Sequence, residues 1–191
     1  TCLNCGISGG TPVAVSVGAT TSDIDFALVR GGRIAATITD AVTTDGIASA
    51  WINVWDSTGQ YVGGSPWTDD DGVCRIEFGL PAGSYYVGTD NNGLHVDEMY
   101  DGVSCVNCSP TSGALLPVTL GATANVAFAL DMGGQISGHV TNADGGAGIP
   151  GVWVDFFDST GRHVGSSPQS DAAGYYITQF GLPSGSYNAH T

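Results

Sequence analysis

Residues 51–66, WINVWDSTGQYVGGSP, alternate two sets of side chains, pass through Asp-Ser-Thr-Gly, and resume in a shorter β-branched run. A period of two marks a strand buried on one face, and a cluster of Asp, Ser, Thr and Gly marks the turn between two such strands. Ile52 and Val54 share the inward face, while Trp51, Asn53 and Trp55 share the other. A sheet with an aromatic outer surface is therefore expected.

This stretch recurs. DSTGQYVGGSP (56–66) matches DSTGRHVGSSP (158–168), GGRIAATITDA (31–41) matches GGQISGHVTNA (133–143), and FGLPAGSYYVGT (78–89) matches FGLPSGSYNAHT (180–191), all at an offset of 102. The head also matches the middle: TPVAVSVGAT…IDFAL (11–28) corresponds to ALLPVTLGAT…VAFAL (114–130), shifted by 103 with one extra residue in the earlier copy. Self-similarity at a fixed period divides the chain into repeats. Residues 1–30 read as the C-terminal strands of an incomplete repeat, 31–132 as a complete repeat, and 133–191 as the N-terminal part of a further one. TCLNC (1–5) and SCVNC (104–108) then occupy the same place in successive repeats.

Each repeat reads as all-β. Strands are expected near 33–39, 49–55, 60–64, 73–78, 84–89, 115–120 and 124–130, separated by Gly, Asp, Asn, Ser and Pro clusters, and no stretch sustains a helical period. Seven strands suit an immunoglobulin-like sandwich. Ile52 and Val54, with counterparts Val154 and Phe156, are expected in its core together with Leu116, Val118, Leu120, Val126, Phe128 and Leu130.

The arrangement Gly-Gly…Asp-Ser-x-Gly…Asp-x-x-Gly…Gly-Leu-Pro-x-Gly-x-Tyr, present in both copies, resembles carboxypeptidase regulatory-like and prealbumin-like repeats. VDEMYDGVSC followed by PVTLGAT…FAL is similar to the closing segment of such repeats. The resemblance covers essentially the whole chain. It implies tandem seven-stranded sandwiches of the kind found in large bacterial secreted or surface proteins, with a spacer or surface role and no catalytic site. A fold by itself says little about ligand or partner.

Composition limits the partners. Eighteen Asp and Glu face four Arg and no Lys, a net charge of −14. Nucleic acid and anionic membranes both require clustered basic side chains, so neither is an expected partner. No apolar run reaches the length of a membrane-spanning helix, so no membrane insertion is expected.

A sandwich front without its last two strands exposes a core and an unpaired edge, and such edges recruit strands. Val13, Val15 and Val17, then Ile24, Phe26 and Leu28, are spaced by two in the head segment. Burying six such side chains is worth roughly 9–18 kcal/mol as an upper bound, before ordering and association costs. The expected partners are thus copies of this chain joined head to tail, or adjacent repeats of one longer chain.

Five cysteines remain to be placed. Cys2 with Cys5, and Cys105 with Cys108, are spaced as a turn-closing pair, and both are expected as local disulfides formed in an oxidising, extracellular or cell-surface compartment. A redox motif would need a helix N-terminus beneath it, and a zinc site would need two pairs that lie a whole repeat apart to converge. Cys74, aligned with Tyr176, reads as a buried thiol. Asp69, Asp70 and Asp71 read as a solvated turn, while Asp97, Glu98 and Asp101 remain open to Ca²⁺; no other cofactor is expected. His95, His139, His163 and His190 are scattered, and no Ser, His and acid arrangement emerges. Catalysis is not expected. Trp51, Trp55, Trp153 and Phe157 are the candidate contact face, for a neighbouring domain, chain or filament, or alternatively for glycans. The function expected is that of a non-enzymatic extracellular filament or stalk protein, with a carbohydrate-binding array, for which Trp51 and Trp55 would be the platform, as the alternative.

Overall fold

The computed structural model describes residues 10–191, and every described element but one short 3-10 turn at Pro110–Ser112 is a strand. The first repeat is a sandwich. One layer is a three-stranded sheet in which β1 (Arg33–Asp40) lies between β4 (Val73–Arg75), antiparallel, and β9 (Thr123–Leu130), parallel. The other layer is ordered β3 (Tyr61–Gly64), β2 (Ala50–Asp56), β5 (Gly83–Asn91), β6 (Glu98–Met99) and β7 (Val103–Ser104), with β8 (Leu116–Val118) also pairing with β5.

Alternation decides what each layer buries. Ile34, Ala36 and Ile38 of β1 and Val126, Phe128 and Leu130 of β9 face Ala50, Ile52 and Val54 of β2, with Val87, Leu116 and Val118 from the flanking strands. The register read from WINVW is the observed one. Leu120 is a correction: β8 stops at Val118, the chain turns at Gly121 with φ 73°, and Leu120 is left exposed. The short pairs β6 and β7 were not expected, because two-residue strands made of Glu, Met, Val and Ser carry no periodic signal.

The Gly-Leu-Pro-x-Gly-Ser-Tyr motif has a structural purpose. The Tyr85 hydroxyl donates to Pro81 O at 2.9 Å and that of Tyr187 to Pro183 O at 2.7 Å, closing the same corner in both repeats.

The second unit repeats the first with β10 (Ser137–His139), β11 (Asp155–Phe157), β12 (His163–Ser166), β13 (Tyr175–Ile177) and β14 (Asn188–His190). Its layers are β10 with β13, and β12-β11-β14. The Cys74-to-Tyr176 exchange is compensated across the sheet: Ala36 faces Cys74, whereas Gly138 faces Tyr176, and a Cβ at residue 138 would lie 2.7 Å from the tyrosine hydroxyl. Cys74 is buried and unbridged, and burial pushes its thiol pKa up.

Candidate functional site

The two units differ most where β8 and β9 belong. The first core holds sixteen buried side chains; the second holds Val154, Phe156, Val164 and Leu182. Among the described residues no strand of the second unit takes the place of β8 or β9. β10 therefore pairs on one side only, and the corner residues equivalent to Gly83–Tyr85, which β8 covers in the first repeat, are unpaired.

Two clefts mark the vacant positions. One, of 500 Å³, opens between the layers and is lined by His139, Val140, Val154, Tyr176 and Ala189. Val140 is the counterpart of Ile38, which pairs with Phe128 in the first repeat. The other, of 320 Å³, is lined by Gly134, Ile136, Leu182, Gly185 and Tyr187. At its counterpart in the first repeat, a Cβ on Gly32 would collide with Val118, while at Gly134 the nearest atom is Leu182 O at 3.8 Å. Among the described residues, nothing in the second unit fills the space that Val118 fills in the first.

The head segment carries the complementary side chains. Phe128 is 2% exposed and Leu130 0%, whereas their counterparts Phe26 and Leu28 are 82% and 90% exposed. Val13, Val15 and Ile24 are exposed as well, and residues 10–30 form no strand. Val17 is exposed too, and its counterpart Leu120 shows that this position lies outside the sandwich core.

The aromatic outer face is real but divided. Trp51 stacks at 5.3 Å on Trp67, a residue the alternation did not mark because it follows the end of β3. Trp55 meets Tyr61 edge-on at 6.2 Å. Trp153 stands 55% exposed with Gln169 where the first repeat has Trp67, and Phe157 packs edge-on against His163. Trp51, Asn53, Tyr61, Ser65 and Trp67 line a cleft of 360 Å³.

The acids serve the backbone. Asp69 Oδ1 accepts from Val73 N and Asp171 Oδ1 from Tyr175 N, the same turn in each repeat. Asp97, Glu98 and Asp101 do not converge, and among the described residues no group of three or more His, Cys, Asp or Glu could hold a metal ion. Asp97 instead accepts from Asn91 Nδ2 at 2.8 Å and Thr89 Oγ1 at 3.1 Å. Its burial and the charge of Asp90 push its pKa up to about 6, against those two hydrogen bonds.

A carboxyl held above its unfolded value favours folding most below that unfolded value, and this advantage is lost as pH rises through about 6. Asp97→Asn keeps an acceptor for Asn91 and Thr89 and removes the buried charge. The variant is expected to be more stable than the parent at pH 7.5, by on the order of 1–2 kcal/mol. The difference should vanish near pH 4, and thermal melts at the two pH values check it.

Cys105 and Cys108 form the expected disulfide, while Cys2 and Cys5 lie outside the described residues. One polar cluster escaped the sequence reading. Ser166 Oγ donates to Asp155 Oδ1, and His163 Nε2 lies 3.3 Å from Ser166 Oγ and 3.4 Å from Asp155 Oδ1. Both partners meet the same ring nitrogen and the serine is already bonded to the acid, so the imidazole does not bridge them as a proton relay requires. His95 Nε2 pairs with Asp40 Oδ2 at 3.0 Å.

No family model and no curated protein matches the chain, so the repeat-family resemblance rests on the motifs. Among solved structures, the Bacillus anthracis TIE protein is similar at 19% identity and TM-score 0.39, over 82% of this chain and 27% of its own. A streptococcal ancillary pilin is similar at 14% identity and TM-score 0.36, over 83% of this chain and 52% of its own. The group B streptococcus pilus 2b backbone protein is similar at 20% identity and TM-score 0.37, over 66% of this chain and 54% of its own. The chain thus spans between about a quarter and a half of the length of these three structures.

Proposed function

We propose that the protein is a non-enzymatic structural subunit of an extracellular filament or surface stalk, in which the head segment of one copy completes the second unit of another. One observation carries this reading. Residues 13–28 repeat the sequence of β8 and β9 and lie exposed, while among the described residues no strand fills the places of β8 and β9 in the second unit. The incoming residues would add a strand parallel to β10, as β9 does to β1, and set Phe26 and Leu28 between the layers and Val15 against Gly134. Burying Val13, Val15, Ile24, Phe26 and Leu28 is worth roughly 7–15 kcal/mol as an upper bound. The association joins unlike surfaces and so propagates from chain to chain, as an open fibre where the rotation between copies does not close a ring. Electron microscopy of the purified chain tests it: filaments are expected, and discrete particles at every concentration would contradict it.

A second reading has its own observation. The Trp51, Trp67 and Tyr61 rings surround Asn53 and Ser65, an apolar wall beside hydrogen-bonding groups, which is the surface a pyranose presents in reverse. We propose this cleft, and not the Trp51–Trp55 pair, as the glycan contact of the first repeat. Trp67→Ala should abolish retention on an immobilised glycan array while leaving the melting temperature unchanged. Equal retention of variant and parent, or none by either, would remove the reading.

A further inference from the structure

The two hydrophobic cores are separate, and what joins them is the loop between β5 and β8 together with the linker that follows β9. Leu94 O accepts from Gly133 N at 2.8 Å, Val96 N donates to Asp131 O at 2.9 Å, and His95 bridges to Met132. The far end of the loop is the disulfide. Between its two cysteines, Val106 leaves its own repeat and packs against the core of the next, the cluster of Val154, Phe156, Val164 and Leu182. Asn107, held at φ 51°, donates from Nδ2 to His163 O at 3.1 Å and accepts at its own carbonyl from Arg162 Nη1 at 3.3 Å. That left-handed conformation is one asparagine adopts more readily than other non-glycine residues.

We infer that the Cys105–Cys108 loop is a latch that fixes each sandwich on the next, and that reducing the disulfide uncouples the units without unfolding either. Closing a loop of this size constrains the unfolded chain by only about 2 kcal/mol, too little to be its main service to a sixteen-residue core. Its geometric service is larger, because the closed ring presents Val106 and both polar groups of Asn107 to the second unit at once. A dithiol reductant supplies two electrons and two protons, opens the bond to two thiols, and leaves as its own cyclic disulfide. Asn107 is then released from its left-handed conformation, and Val106 from the neighbouring core.

The repeat supports this independently. Gly181, which lies beneath Leu94 O, is buried, and Val164 is buried; their counterparts Gly79 and Val62 in the first repeat are exposed and half-buried. The sequence puts Leu3 and Asn4 of TCLNC in the places of Val106 and Asn107. The same pattern thus occupies equivalent places in the two repeats, and the latch is that of Cys105–Cys108. Nothing in it depends on strand exchange, since both faces of the contact belong to one chain.

The test is the distance distribution between dyes attached, by chemistry that spares cysteine, at Val42 and Asp144, equivalent exposed turn positions of the two units. The oxidised chain should give a narrow distribution, and full reduction, confirmed by four additional titratable thiols, two from Cys105–Cys108 and two from the expected Cys2–Cys5 bridge, should widen it measurably. Val106→Ser, with the disulfide intact, should widen it similarly, and circular dichroism should be unchanged in both cases. A narrow distribution after reduction overturns the disulfide's role even if Val106→Ser widens it. Loss of β-structure on reduction overturns the inference too, since the bond would then serve the fold of its own repeat.

Discussion

Phe26→Asp is expected to leave the isolated chain folded and to abolish the proposed head-to-tail assembly. Phe26 is 82% exposed within its own chain, so the substitution removes no packing from the monomer. Its counterpart Phe128 is 2% exposed, paired across from Ile38 in the parallel ladder. In the assembled state the variant would lose a buried phenyl ring, a loss of about 3–5 kcal/mol, and would add a carboxylate with no partner. The association constant should fall by at least about 10²–10³-fold. Sedimentation velocity reads the assembly and thermal melts read the fold. Parent-like polymers from this variant would show that Phe26 does not enter a neighbouring core.

The companion result is that Phe128→Ala destabilises the first repeat by about 3–5 kcal/mol. Phe128 has no route to water and packs among the sixteen side chains of the first core, so the cavity it leaves is closed. For a domain of this size the melting temperature should drop by more than about 10 °C. Phe26→Ala, the same change at the equivalent position, should leave the monomer's melting temperature where it was. Calorimetry on the pair checks the contrast. Equal losses would mean that residues 10–30 already pack within their own chain.

Much of this was legible before any coordinates. The two-residue period of WINVW placed Ile52 and Val54 in the core and the tryptophans outside, and that register holds in both units. The offset of 102 located equivalent strands, because an internal repeat is a comparison the chain makes with itself. What escaped the sequence depends on contacts between distant residues. Trp67 joins Trp51 only because β3 folds back on β2. Tyr176 is tolerated because Gly138 faces it, a pairing that alignment displays but only strand register explains. Leu120 and Val17 continue an apolar alternation past the point where β8 stops, so the pattern overran the strand. The latch was the least legible feature: SCVNC announced a disulfide, but not that Val106 and Asn107 between its cysteines meet the next unit.

Completion of residues 133–191 of one chain by residues 11–30 of another is read from the mass of the purified chain before and after denaturation without reductant. A concentration-dependent ladder of native species in steps of 19.3 kDa is expected, collapsing in denaturant to a single 19.3 kDa species. A native species that stays at the mass of one chain at every concentration would contradict it.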